Sequence, residues 1–216
     1  KPSNIFLGPD DHVTLMDFGI SKAMDTSPYT RTGLLMGTPE YMSPEQAEGL
    51  QLDRRSDLYS LGVVVYQMLS GQLPFNAPTP NAVLYAHVHH EPAPLAQVLP
   101  GFPRSVSDVV ARALAKRPAD RYPTTSAFAA AFEQAVYEGN AAIGANIERE
   151  VRMLVKAGRT AEAQSRLAEL RRVNPGYPGL AALTAEVSRQ VAVDLEYDEI
   201  ARAVTVDLAR AADFAR

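Results

Sequence analysis

Nine prolines fall between residues 74 and 123, at positions 74, 78, 80, 92, 94, 100, 103, 118 and 123. A proline inside a helix removes a backbone hydrogen bond and clashes with the preceding turn, at a cost of ~3 kcal/mol. Helices here are therefore confined to the intervals between prolines. The apolar spacing agrees, turning helical over 57–70, 81–90, 105–116 and 125–138. Asp57, Ser105 and Thr124 stand where N-caps are wanted. Upstream, two short apolar stretches at 5–7 and 13–16 flank Gly8-Pro9-Asp10-Asp11, whose turn chemistry predicts a small hairpin. Residues 21–38 show no sustained period and read as a long surface loop. Residues 1–138 are thus expected to form an α+β lobe, mainly helical with a small hairpin at its start.

Residues 139–145 are rich in Gly, Asn and Ala and read as a linker. Beyond it, Ile147, Val151, Leu154 and Val155 make one helical stripe, and Gly158-Arg159 breaks it. A second stripe through Ala163, Leu167 and Leu170 stops at Asn174-Pro175. Residues 146–216 are therefore expected to form an α-helical tail opening with a helical hairpin. Gly158, Ala163 and Pro175 have a spacing that resembles a tetratricopeptide repeat, although Glu150 stands where that pattern wants an apolar residue. A partial echo at 195–200 is expected to begin a second, incomplete repeat.

Composition narrows the function. With 46% apolar residues, 216 residues suffice for a sizeable core. The formal net charge of −4 supplies no basic stripe for a nucleic-acid backbone. The apolar run 61–66 is far too short for a bilayer of ~30 Å hydrocarbon. Cysteine is absent, which removes disulfides and thiolate metal sites and fits a reducing compartment. The chain opens on Lys1-Pro2, so it is expected to be cut from a longer product.

Three blocks occur in order: Lys1-Pro2-Ser3-Asn4, Asp17-Phe18-Gly19, and Gly37-Thr38-Pro39-Glu40-Tyr41-Met42-Ser43-Pro44-Glu45. The expected hairpin lies between Asn4 and Asp17 and would fold an amide and a carboxylate onto one side of a cleft. Hard Mg²⁺ takes oxygen ligands, and this pair offers one neutral and one charged donor. Together the blocks resemble the catalytic loop, magnesium loop and A-P-E segment of bacterial serine/threonine protein kinases of the eukaryotic type, with Ser43 in place of the usual Ala.

The resemblance implies a kinase C-terminal lobe and ATP-dependent phosphorylation of protein Ser and Thr hydroxyls, with Mg²⁺, or Mn²⁺ in its stead. It gives Lys1 the γ-phosphate, Asn4 and Asp17 the metal, and Phe6 the floor of the adenine pocket. Phe18 and Gly19 complete the magnesium loop. Thr38 would bridge Lys1 and a general base two positions before it, which this chain does not contain. Lys1 and Thr38 follow the serine/threonine rather than the tyrosine pattern. Thr30 and Thr32 resemble paired autophosphorylated threonines, where a phosphate orders the loop by pairing with arginine. Asp57 resembles a buried aspartate that accepts backbone N–H bonds from the catalytic loop. Glu45 and Arg121 resemble the ion pair that ties the A-P-E segment to the lobe. Ile5 and Leu7 are expected to form apolar columns with Val64 and Met68. His87, His89 and His90, at a helix C-terminus, are expected to be solvated rather than metal-bound.

The implied partners are protein substrates and, through the tail, other proteins; the implied location is cytoplasmic. Residues 1–216 alone are expected to be inactive, lacking the Gly-rich strand, the ATP-clamping lysine and the base. The alternatives are a non-catalytic pseudokinase scaffold and a tetratricopeptide-type interaction module. Asn4 and Asp17 argue against the scaffold, which has no need of metal ligands.

Overall fold

The computed structural model describes the backbone of residues 1–16 and 37–214, with side chains at 1–16, 37–200 and 202. It comprises two compact units, residues 1–139 and 140–216.

The first unit begins with an antiparallel hairpin of β1 (Ile5–Leu7) and β2 (Val13–Leu15), registered Ile5↔Leu15, Phe6↔Thr14 and Leu7↔Val13. Its reversal places Asp10 and Asp11 at φ of 59° and 58°, a left-handed conformation that short acidic side chains tolerate. After a single turn at Pro39–Tyr41 come α1 (Pro44–Ala47), α2 (Arg54–Ser70), α3 (Pro80–His89), α4 (Leu95–Val98), α5 (Arg104–Ala113) and α6 (Thr125–Lys156). Ser43 closes a reciprocal capping box with Gln46 at the start of α1. The described prolines stand between helices or in their first turns, as the cost of an interior proline requires.

Helix α2 is central because its apolar residues do not keep to one stripe. Leu58, Tyr59, Val63, Val64 and Tyr66 are all buried, and two clusters form around them. Tyr59, Val63 and Tyr66 pack with Leu95, Val110 and Leu114, while Leu58 packs with Ala113, Tyr122 and Phe128.

Three local expectations are corrected. Helix α2 starts at Arg54, three residues early, because the Asp53 carboxylate accepts the Arg55 N–H at 2.7 Å and so makes Asp53 the cap. Asp57 thereby falls inside the first turn and is exposed, neither cap nor buried anchor. Ser105 donates to the Ala135 carbonyl at 2.9 Å and ties α5 to α6 instead of capping. Thr124 does cap, accepting the Ala127 N–H at 3.1 Å.

The stretch 139–145, expected as a linker, lies within the continuous helix α6. Its glycines serve close packing instead of chain freedom. A Cβ on Gly139 would lie 2.6 Å from Pro103, and one on Gly144 would lie 2.5 Å from the Tyr177 ring.

The second unit packs the end of α6 against α7 (Thr160–Val173) and α8 (Leu180–Phe214). Its core is Ile147, Val151, Ala163, Leu167, Leu170, Leu183 and Val187. Gly158 makes the break between α6 and α7 at φ 68°, where a Cβ would be strained. Glu150, the apolar position occupied by a charge, is held by Arg166, whose Nε donates to it at 2.7 Å. Residues 195–200, expected to open a second repeat, lie inside the unbroken α8.

Gly144 allows a test by size exchange. In an open helix, Gly→Ala gains about 1 kcal/mol. Here the methyl meets Tyr177, whose hydroxyl is held by Glu148, and overpacking costs ~1–3 kcal/mol. Gly144→Ala is therefore expected to lower the exchange protection of amides at 147–170, and to raise it when Tyr177 is also Ala. The same sign in both backgrounds would contradict close packing at this glycine.

Candidate active site

The hairpin register brings Met16, the last described residue before the second block, to Asn4 of the first. Beyond the Ile5↔Leu15 pair, the Met16 N–H donates to the Asn4 carbonyl at 2.7 Å, so the ladder continues to the residue before Asp17. Asn4 is half-buried at the head of β1, and its N–H donates to the Lys1 carbonyl at 3.0 Å. Lys1 is exposed beside it. Asp17, Phe18 and Gly19 lie outside the described residues, as do Thr30 and Thr32.

Phe6 is 59% exposed, open on the hairpin. Among the described residues the apolar columns expected through Leu7 and Met68 do not close, these side chains being 63% and 77% exposed. Leu7, Val13, Leu15 and Met16 are likewise exposed on the hairpin. Among the described residues no cluster of three or more His, Asp or Glu could hold a metal. The side-chain oxygen of Asn4 is of the kind that a hard divalent ion takes.

The third block is built differently, on buried polar contacts. Thr38 is half-buried, and its carbonyl accepts the Tyr41 N–H at 3.2 Å in the Pro39–Tyr41 turn. Glu45 and Arg121, 76 residues apart, meet as a buried bidentate pair, Nη1 to Oε1 at 2.7 Å and Nη2 to Oε2 at 2.8 Å. The remaining Arg121 donors go to the carbonyls of Ala115 at 2.7 Å, Arg55 at 2.9 Å and Lys116 at 2.9 Å, which satisfies all five N–H groups of the fork. The guanidinium also lies 4.8 Å from the Tyr59 ring centroid. Ser56 donates to Glu45 Oε1 at 2.7 Å. Burial pushes the Glu45 carboxyl upward, but the hydrogen bonds from Arg121 and Ser56 outweigh it and hold it below the usual carboxylate range.

His87 departs from expectation. His89 and His90 are exposed, whereas His87 is fully buried beside Val83 and Leu84. The signal was present in the sequence: residue 87 follows residue 83 by four and residue 84 by three, which puts it on their apolar face. Burial first, then the nearby Lys116 charge, lowers its pKa to about 4, against the upward pull of its hydrogen bond to Glu40.

A family model described as "Protein kinase domain" matches residues 1–132. The chain is 46% identical over 143 residues to serine/threonine-protein kinase Pkn1 of Myxococcus xanthus, an overlap of 64% of this chain and 21% of that protein. It is 44% identical over 127 residues to serine/threonine-protein kinase PknB of Mycobacterium leprae, covering 58% of this chain and 20% of that one. The chain thus spans about a fifth of the length of these curated relatives. The crystal structure of the PknI kinase domain of Mycobacterium tuberculosis aligns with TM-score 0.46 and 26% identity, over 62% of this chain and 44% of that one. No helix among the described residues is long and apolar enough to cross a membrane. Because the family model takes in more than half of its residues, the chain belongs to the protein kinase domain family.

Proposed function

We propose that this chain forms the C-terminal lobe of a serine/threonine protein kinase that moves the γ-phosphoryl group of ATP to hydroxyls of protein substrates. The observation that supports the reading is the hydrogen bond from Met16, the residue before Asp17 in the sequence, to Asn4 of the Lys1-Pro2-Ser3-Asn4 block. In this reading Asn4 and Asp17 hold the metal, Lys1 steadies the transferred group, and open Phe6 offers an apolar face to the adenine. A bound Mg²⁺ would neutralise charge developing on the phosphoryl oxygens. The Gly37–Glu45 block, fastened by Arg121, receives the acceptor, and Thr38 orients its approach to Lys1. Thr30 and Thr32 are the proposed sites of activating phosphorylation.

Residues 1–216 alone are expected to transfer no measurable phosphate from Mg·ATP to a protein acceptor, since they include no base two positions before Lys1. A longer chain carrying that upstream segment is expected to phosphorylate Ser and Thr. In it, Asp17→Asn is expected to lower kcat by roughly two orders of magnitude or more. Turnover by residues 1–216 alone, or full activity of the Asp17→Asn chain, would overturn the assignment.

A further inference from the structure

The turn Pro39–Tyr41 follows Thr38 directly and has little of its own to hold it. Its internal bonds, Tyr41 N–H to the Thr38 carbonyl and Met42 N–H to the Pro39 carbonyl, are both 3.2 Å. A single 3₁₀ turn of this kind does not persist in water unaided. Two successive carbonyls of the turn are gripped from two helices. Ser60 of α2 donates to the Tyr41 carbonyl at 2.6 Å. His87 of α3 places Nε2 3.1 Å from the Glu40 carbonyl oxygen.

The other ring nitrogen of His87 is also engaged, with Nδ1 2.9 Å from Tyr59 Oη. A carbonyl oxygen only accepts, so Nε2 carries the proton and Nδ1 accepts from the tyrosine hydroxyl. The ring stands edge-on to Phe75 and to Tyr59, at centroid distances of 4.9 and 5.7 Å. Lys116 donates to the backbone carbonyl of His87 itself at 2.8 Å and sets a cation near the imidazole. The pocket therefore favours one tautomer of a neutral ring.

We propose that His87 is a positioning residue: its Nε2–H couples α3 to the 37–45 segment and sets the orientation of Thr38 and the acceptor-binding turn that follows. That the segment receives an acceptor rests on the kinase reading, whereas the coupling does not.

The test uses the full 216-residue chain and needs no phosphotransfer. Nitrogen-15 NMR of the His87 ring is expected to show the Nε2-protonated, neutral tautomer. His87→Phe, which keeps the ring volume and loses the donor, is expected to lower hydrogen-exchange protection at the Tyr41 and Met42 amides by about fivefold to tenfold, the worth of one net hydrogen bond. The α2 amides of Val63 and Val64 should not change. His87→Gln, whose amide reaches toward the position of Nε2, should restore protection to within about twofold. An Nδ1-protonated ring, an equal loss at Tyr41 and at Val63, or no rescue by Gln would each refute the coupling. Absence of phosphotransfer from a longer chain would refute the kinase reading and leave these readouts as they are.

Discussion

Replacing Arg121 by methionine is expected to remove about 3–5 kcal/mol from the stability of the first unit, the loss typical when one member of a buried ion pair is deleted. The reason lies in what is left behind. Glu45 would stay buried with only Ser56 to satisfy it, and three backbone carbonyls, of Arg55, Ala115 and Lys116, would lose their donor. Native domains hold only about 5–15 kcal/mol in total, so the variant is expected to unfold at a markedly lower urea midpoint. The matched control is Arg117→Met. Arg117 pairs with Asp120 at 3.7 Å, and both side chains are largely exposed, so its removal should change stability by less than about 1 kcal/mol. Exchanging Glu45 and Arg121 together for apolar residues should recover part of the loss, because no uncompensated charge then remains. Equal midpoints for the two single variants would show that the buried pair carries no special weight.

Acid is expected to destabilise the first unit through His87. The pKa of His87 is about 4 in the folded chain, against 6.5 for an ordinary histidine. Between these values the unfolded chain binds the proton and the folded chain does not. The His87 contribution to stability therefore falls as pH drops from about 6.5 toward 4 and levels off below, a loss approaching ~3 kcal/mol. Protonation would also force the Tyr59 to Nδ1 bond to reverse, with the hydroxyl accepting, and place a second cation beside Lys116. The Glu45 carboxyl, lowered in the folded chain, adds its own loss at still lower pH. Urea unfolding at a series of pH values measures the slope, and His87→Gln is expected to flatten it between pH 6.5 and 4. A slope unchanged in that variant would assign the acid sensitivity elsewhere.

The elements were legible where local chemistry decides them. Prolines that no helix interior accepts, the turn residues between β1 and β2, and the break at Gly158 place most helix ends and the hairpin without reference to any distant residue. The sequence is ambiguous where a residue has two uses that look alike. A glycine serves a flexible joint or a tight crossing, and only the position of Tyr177 shows that Gly144 is the second kind. An aspartate near a helix start caps or does not, and Asp53 took the role expected of Asp57.

For the candidate site, order and spacing in the sequence determined which blocks belong together and which chemistry they resemble. The hairpin between them is a short-range structure, and its register follows from a tight turn. The burial of His87 and the five-bond socket around Arg121 were decided by tertiary structure. Both depend on backbone carbonyls contributed by remote segments, and a carbonyl is the same group at every position in a sequence. Only folding brings Glu40 to His87 across 47 residues and Arg55 to Arg121 across 66, and there burial makes each bond costly to lose.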